Sequence, residues 1–214
     1  MPTQSPTCTR AEKIAVLLPS LEGGGAERSM LNLATGFLAA GREVDIVLCQ
    51  AKGAFLDEIP AGARMIELEA TGGLRARWII AISNLQDFFV RLRPVLLAKK
   101  TAPEIARIRS LQRYIVASQP DVILSALPYA NLSAIWAKEL SGSRVPVIVS
   151  ERIALSSYCA APSNSRKWRW RYLPELVRRT YPKANRVVAV SDHVADELIT
   201  TIGLHQDSVT TVHN

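Results

Sequence analysis

The sequence predicts an α/β fold of the doubly wound type, a Rossmann-like parallel sheet of about seven strands with helices on both faces. Three observations predict it. Short continuous apolar runs recur along the chain, as in strands buried on both faces of a parallel sheet. Segments of helical periodicity separate them. The first run, residues 14–18, leads into a turn (residues 19–25) with three consecutive glycines. A helical stripe of Met30, Leu31, Leu33, Ala34, Phe37 and Leu38 follows. Strand, glycine turn and helix form the opening unit of such a sheet.

In chain order, residues 1–12 are polar, lack the apolar stretch of a secretory signal and read as a flexible leader. Gly41 stops the first helix. Residues 43–49 and 64–68 are the second and third strands, with a fragment of helix at residues 55–60 between them. Thr71-Gly72-Gly73 breaks the pattern. A long basic helical region follows, with Trp78, Phe88 and Phe89 on one face, and Pro94 and Pro103 divide it. Its last part is residues 104–118. Residues 121–126 are a strand, 131–140 a helix, and 145–150 a strand whose ladder starts late because of Pro146. Residues 151–164, rich in Ser, Pro and Ala, are expected to be irregular and mobile. Residues 165–181 are helical, 186–190 form a strand, and Ser191-Asp192 starts a helix over 192–201. Residues 209–212 are the last strand. Residues 13–214 thus make one domain.

With 48% hydrophobic and 21% charged residues, the 214 residues suffice for a sizeable core. No apolar run approaches the roughly 18 residues of a membrane-spanning helix. Cys8, Cys49 and Cys159 are odd in number and show no CxxC pairing, which argues against a disulfide framework or zinc site and for a reducing cytoplasm. The formal net charge of +7 is unevenly spread. Residues 74–117 carry nine basic side chains against Asp87 and Glu104, and residues 166–183 carry seven against Glu175. Such blocks point to a surface that meets polyanions. For residues 74–117 a membrane-facing surface and a solvated face over core aromatics are equal readings. In Arg166, Lys167, Trp168, Arg169, Trp170 and Arg171 the interleaving of basic and aromatic residues reads as a membrane interface.

The glycine turn excludes some chemistries. A dinucleotide fingerprint needs a third glycine where Arg28 stands, and an acidic residue after the second strand, which ends in Cys49-Gln50. No Walker A loop occurs. What remains is a backbone loop at a helix N-terminus, either an anion-binding site or simply a tight turn.

Four stretches resemble family 4 retaining glycosyltransferases of the two-domain GT-B architecture. Gly23 to Arg28 looks like the family's GGAER opening. Pro120-Asp121-Val122-Ile123 with Asn131 downstream resembles its mid-domain strand and helix. Residues 146–152, ending in Ser150-Glu151-Arg152, resemble the SER strand end of bacterial polysaccharide-assembly members, with Ile153 in place of their Asn. Residues 184–191 followed by Gly203-Leu204 resemble the segment that ends in Ser191. The resemblance implies the N-terminal, acceptor-binding domain of an enzyme that transfers a sugar from a nucleotide-sugar donor, with retention. Its acceptor would be a polysaccharide or a glycan on polyprenyl diphosphate, met peripherally at the inner face of the cytoplasmic membrane. The C-terminal donor-binding domain, with its E-x7-E pair, lies outside this sequence, so these residues alone are expected to be inactive. No cofactor and no metal are implied.

The resemblance also implies roles. Gly24 and Gly25 approach the donor diphosphate, and Glu27 is either a substrate contact or a dipole partner of the helix. Glu151 and Arg152 are the catalytic candidates, Arg152 for phosphate charge and Glu151 for acceptor hydroxyls, with a rim ion pair as the plainer alternative. Asn131 is an acceptor contact or a helix cap, and Ser150 and Ser191 are further acceptor candidates. The alternative function is a non-catalytic basic module for membranes or nucleic acid. No nucleic-acid motif supports the latter, and nucleic acid is not expected as a partner.

Overall fold

The strands form because alternate side chains enter two separate cores. In β1 (Lys13–Leu18), Ile14, Val16 and Leu18 pack on one face, and Ala15 and Leu17 on the other. β2 (Glu43–Leu48) repeats this with Val44, Ile46 and Leu48 against Val47. Burial on both sides explains the uninterrupted apolar runs. The computed structural model describes residues 12–71, 102–161 and 168–213; the side chains of Trp168 and Arg169 also lie outside the description.

After β1 come α1 (Gly25–Ala39), β2, a 3-10 turn (Leu56–Glu58) and β3 (Arg64–Glu67). Next are α2 (Pro103–Ala106), α3 (Ile108–Ser118), β4 (Val122–Ala126), α4 (Pro128–Ser141) and β5 (Val147–Glu151). The chain continues with α5 (Leu155–Ala160), α6 (Trp168–Arg171), α7 (Leu173–Thr180), a 3-10 turn (Tyr181–Lys183), β6 (Arg186–Ala189), α8 (Asp192–Thr200) and β7 (Val209–Thr211). Among the described residues the strands make one parallel seven-stranded sheet in the order β3-β2-β1-β4-β5-β6-β7. The expected strands are all present. The ladder of β5 begins after Pro146, as its missing N–H requires.

The order reverses between β1 and β4. Right-handed crossovers therefore put α1 on one face as the chain moves outward through β2 and β3, and α4, α7 and α8 on the other as it returns through β5 and β6. α4 is enclosed almost all round: residues Pro128 to Ala137 are buried, including Trp136. Two expectations are corrected. The segment after β5, expected to be irregular, contains α5. The helix expected from residue 131 starts at Pro128, where proline suits the first helical turn, so Asn131 is no cap. The basic stretch 72–101 lies outside the described residues.

A polar cluster ties β2 to β3 and α3. Asp45, 3% exposed, accepts both Arg64 nitrogens at 2.9 and 2.7 Å and the Tyr114 hydroxyl at 2.7 Å. Burial alone raises the Asp45 carboxyl, but the bonds from Arg64 and Tyr114 and the charges of Arg64 and Lys13 outweigh it and hold it below the usual carboxylate range. Asp45→Asn is expected to lower unfolding stability by about 1–3 kcal/mol in urea titrations. The wild type keeps this contribution above the ordinary carboxylate pKa of 3.8 and loses it as pH falls through the lower folded value. The gap between the two proteins should therefore close in acid; a constant gap would contradict this assignment.

Candidate functional site

The carboxyl ends of β1, β4, β5 and β6 meet along one sheet edge, beside the point where the strand order reverses. Open α/β sheets bind ligands there. Three segments build this edge: the glycine turn after β1, the Ser150-Glu151-Arg152 end of β5, and Ser191 after β6.

Gly24 is the N-cap of α1 and Gly25 its first residue, and both residues are exposed. Glu27 folds back over this loop and is 9% exposed. A Cβ built on Gly24 would lie 2.4 Å from Glu27 Oε2, so glycine there is what admits the carboxylate. Glu27 thus satisfies the helix dipole from within the protein. The turn is also fastened from outside. Leu21 donates to Lys52 O and accepts from Phe55 N, at 2.9 and 3.0 Å. Gly53, at φ +121°, packs directly on the Leu21 carbonyl, 2.0 Å from where its Cβ would stand. Arg28 forks onto Glu58 at 2.6 and 3.3 Å and lies 4.1 Å from the centre of the Phe55 ring.

At the end of β5 the structure corrects the substrate roles expected of Asn131, Ser150 and Glu151. All three are buried: Asn131 and Glu151 are 0% exposed and Ser150 is 2% exposed. Ser125 Oγ donates to Asn131 Oδ1 at 2.8 Å. Asn131 Nδ2 donates to Ser150 O at 3.0 Å and to Tyr181 Oη at 2.9 Å, and Tyr181 donates to Glu151 Oε2 at 2.7 Å. Glu151 Oε1 accepts the amide of Arg152 at 3.1 Å. Burial pushes the Glu151 carboxyl up to about 7; the bonds from Tyr181 and from the Arg152 and Ile153 amides oppose the rise, and the charge of Glu197 adds to it. Glu151 therefore touches the site through the loop it holds and not through acceptor hydroxyls.

Arg152, the next residue, is half-buried and reaches α1, with Nη2 3.6 Å from Met30 Sδ. It lines an apolar groove of about 840 Å³ together with Met30, Leu33, Phe37, Ile148 and Val188. Arg152 is thus brought to the helix that the glycine turn opens. Ser191 is the N-cap of α8, its Oγ accepting from Val194 N at 3.3 Å, which is the role its position after a strand predicts.

Two residues carry weight that the sequence reading missed. Tyr181, read as part of a basic aromatic helix, is fully buried. Glu197 on α8 accepts Leu155 N at 2.6 Å, Ser156 N at 2.7 Å and the Ser156 hydroxyl. Leu127, the N-cap of α4 at the strand-order reversal, has φ +77°, an uncommon backbone for a non-glycine residue.

The membrane-interface reading fares unevenly. Trp170 is 8% exposed and stacks edge-on against Tyr129 and Tyr158, with centroids 5.4 and 5.0 Å apart, so it is core and its interface role is corrected. The reason is spacing: Trp170, Leu173, Leu176 and Val177 make one inward stripe across α6 and α7. Arg171 is exposed; Arg166 and Lys167 lie outside the described residues, as do the side chains of Trp168 and Arg169. Several described basic residues are engaged locally, Arg178 and Arg179 with Glu175, Lys183 with Glu139, Arg113 with Glu69, and Arg107 with Leu68 O. Among the described residues no helix is long and apolar enough to cross a membrane, and no group of three His, Cys, Asp or Glu residues stands close enough to hold a metal ion.

A profile of the family described as Glycosyltransferase Family 4 matches residues 23–214. No curated protein matches the chain by sequence. Among solved structures it is similar to the lipopolysaccharide outer core galactosyltransferase WaaB in its apo form: 14% identity, TM-score 0.59, covering 94% of this chain and 45% of that one. It is also similar to Anabaena Alr3699/HepE in complex with UDP and glucose: 17% identity, TM-score 0.60, covering 95% and 44%. A third is sucrose-phosphate synthase from Thermosynechococcus elongatus: 11% identity, TM-score 0.63, covering 94% and 48%. At these identities the likeness is one of fold, that of the N-terminal half of GT-B enzymes. The chain spans less than half the length of each of these three proteins.

Two outcomes check this geometry. Gly53→Ala drives a methyl group into the Leu21 carbonyl, and a loss of about 1–3 kcal/mol is expected on unfolding, with faster amide exchange in residues 21–25; an unchanged glycine turn would show that the contact is not what fixes it. For Glu151 the folded pKa of about 7 lies above the reference 4.5. The stability of its neutral form is therefore fully present below pH 4.5 and lost as pH rises through 7. Glu151→Gln stays neutral, so its melting temperature should gain on the wild type between these values; parallel melting curves would refute the buried-acid assignment.

Proposed function

Because the chain belongs to Glycosyltransferase Family 4, we propose that it is the acceptor-binding half of a transferase. The enzyme passes a sugar, with retention, from a nucleotide-sugar donor to a polysaccharide or polyprenyl-diphosphate-linked glycan. One observation carries the reading: the glycine turn and Arg152 share the sheet edge at the strand-order reversal, with Arg152 reaching the helix that the turn begins. Transfer breaks the bond between the anomeric carbon and a diphosphate oxygen, which departs with the electron pair, so negative charge grows on the diphosphate. The amides of the exposed residues Gly24 and Gly25 and the Arg152 guanidinium are the donors suited to that charge. Glu27 occupies the inner side of the same helix end, so the diphosphate approaches from the solvent side. The complex of Anabaena Alr3699/HepE with UDP and glucose supports a nucleotide-sugar donor class. The acceptor is met at the inner face of the cytoplasmic membrane, with the exposed Arg171 toward anionic headgroups.

The donor pocket belongs to the other half of such enzymes, so the 214 residues alone should release no UDP from UDP-glucose. They should nonetheless bind vesicles carrying a polyprenyl diphosphate glycan and, as a stand-in for the donor diphosphate, inorganic pyrophosphate, whose binding Arg152→Ala should weaken about ten- to a hundredfold, the range of a lost charged hydrogen bond. Unaided turnover, or undiminished binding by Arg152→Ala, would overturn the reading.

A further inference from the structure

Arg152 sits on a short arc whose two ends are held by buried carboxylates. At the near end Glu151 is fixed by Tyr181 and by the Arg152 amide. At the far end α5 begins, and its N-terminus has no means of its own to satisfy the first amides: the N-cap is Ala154 and the first turn holds no acid. Six residues do not make a stable helix in isolation. Glu197, 42 residues further on and 7% exposed, supplies the missing acceptors by taking the amides of Leu155 and Ser156 and the Ser156 hydroxyl with one carboxylate. The cap of α5 thus comes from another helix. α8 is itself anchored beside β5, because its N-cap Ser191 follows β6, and β6 pairs with β5 from Ile148↔Arg186 to Glu151↔Ala189.

We propose that Glu197 is a positioning residue for the site: by capping α5 across the fold it fixes the Arg152–Ala154 arc and so holds Arg152 at the cleft. The inference rests on the reading of Arg152 as the phosphate-facing cation. The arc has only three residues between its tethers, so a fixed end at Leu155 leaves Arg152 little freedom. Tyr158 meets Trp170 edge-on and Leu155 is buried in the core, so both residues join α5 to the body of the fold.

The test uses the 214-residue chain, hydrogen exchange, and calorimetric binding of inorganic pyrophosphate as the probe. Glu197→Ala should speed exchange at Leu155 and Ser156 at least tenfold and leave residues 122–126 unchanged. It should weaken pyrophosphate binding several-fold, and Glu197→Gln, which keeps one acceptor oxygen, should recover part of both losses. The deciding readout is a double-mutant cycle. In an Arg152→Ala background Glu197→Ala should cost no further pyrophosphate affinity, whereas a general loss of structure would add in full. Additive losses, or unchanged exchange at Leu155, overturn the positioning role while leaving Arg152 in place. If Arg152→Ala alone binds pyrophosphate as tightly as the wild type, the reading of Arg152 itself fails and the positioning role falls with it.

Discussion

A parallel sheet exposes apolar side chains on both faces, and the inner strands β1 and β2 here are covered on both. Covering is done by right-handed crossovers, which can sit on one face only while the chain moves one way across the sheet. The chain moves outward from β1 to β3, returns, and moves the other way from β4 to β7, so helices fall on opposite faces of the two halves. The edge between β1 and β4 is where neither set of connections closes the gap. The site exists because of that constraint: the glycine turn leaves β1 at the reversal, and the end of β5 lies two strands away, about 10 Å at ordinary strand spacing.

Three acidic side chains near this edge are enclosed. Glu27, Glu151 and Glu197 are all buried, in a region whose proposed ligand is itself anionic. Bare carboxylates there would repel a diphosphate. Glu197 spends its acceptors on backbone and hydroxyl donors, Glu27 lies against Gly24 at the start of a helix dipole, and Glu151 is held by Tyr181 and backbone amides with its proton affinity raised by burial. Each shapes a backbone segment, while Gly24 and Gly25 stay exposed and Arg152 lines the groove beside α1. The polar chain Ser125–Asn131–Tyr181–Glu151 is satisfied by its own members together with the Ser150 carbonyl and the Arg152 amide, which allows these polar atoms to be buried together.

The rest is a matter of what residue type and spacing can encode. Apolar runs and glycine punctuation determined the fold class, the strands and the place of the glycine turn, because a strand buried on both faces must be mainly apolar and a sharp strand-to-helix turn needs backbone freedom. The Ser150-Glu151-Arg152 motif marked the end of β5 as the candidate site. Tertiary structure alone decided which of those side chains meet solvent. Glu151 and Arg152 are adjacent in sequence and point opposite ways across a strand, one into Tyr181 and the other toward Met30. Trp170 is flanked by arginines yet faces inward, because its stripe with Leu173 and Val177 runs across two short helices that the sequence presents as one. Glu197 looks like an ordinary helix acid, and the amides it caps lie more than forty residues away. Local pattern fixes what a segment becomes; only the packing of distant segments determines which buried group a carboxylate can reach.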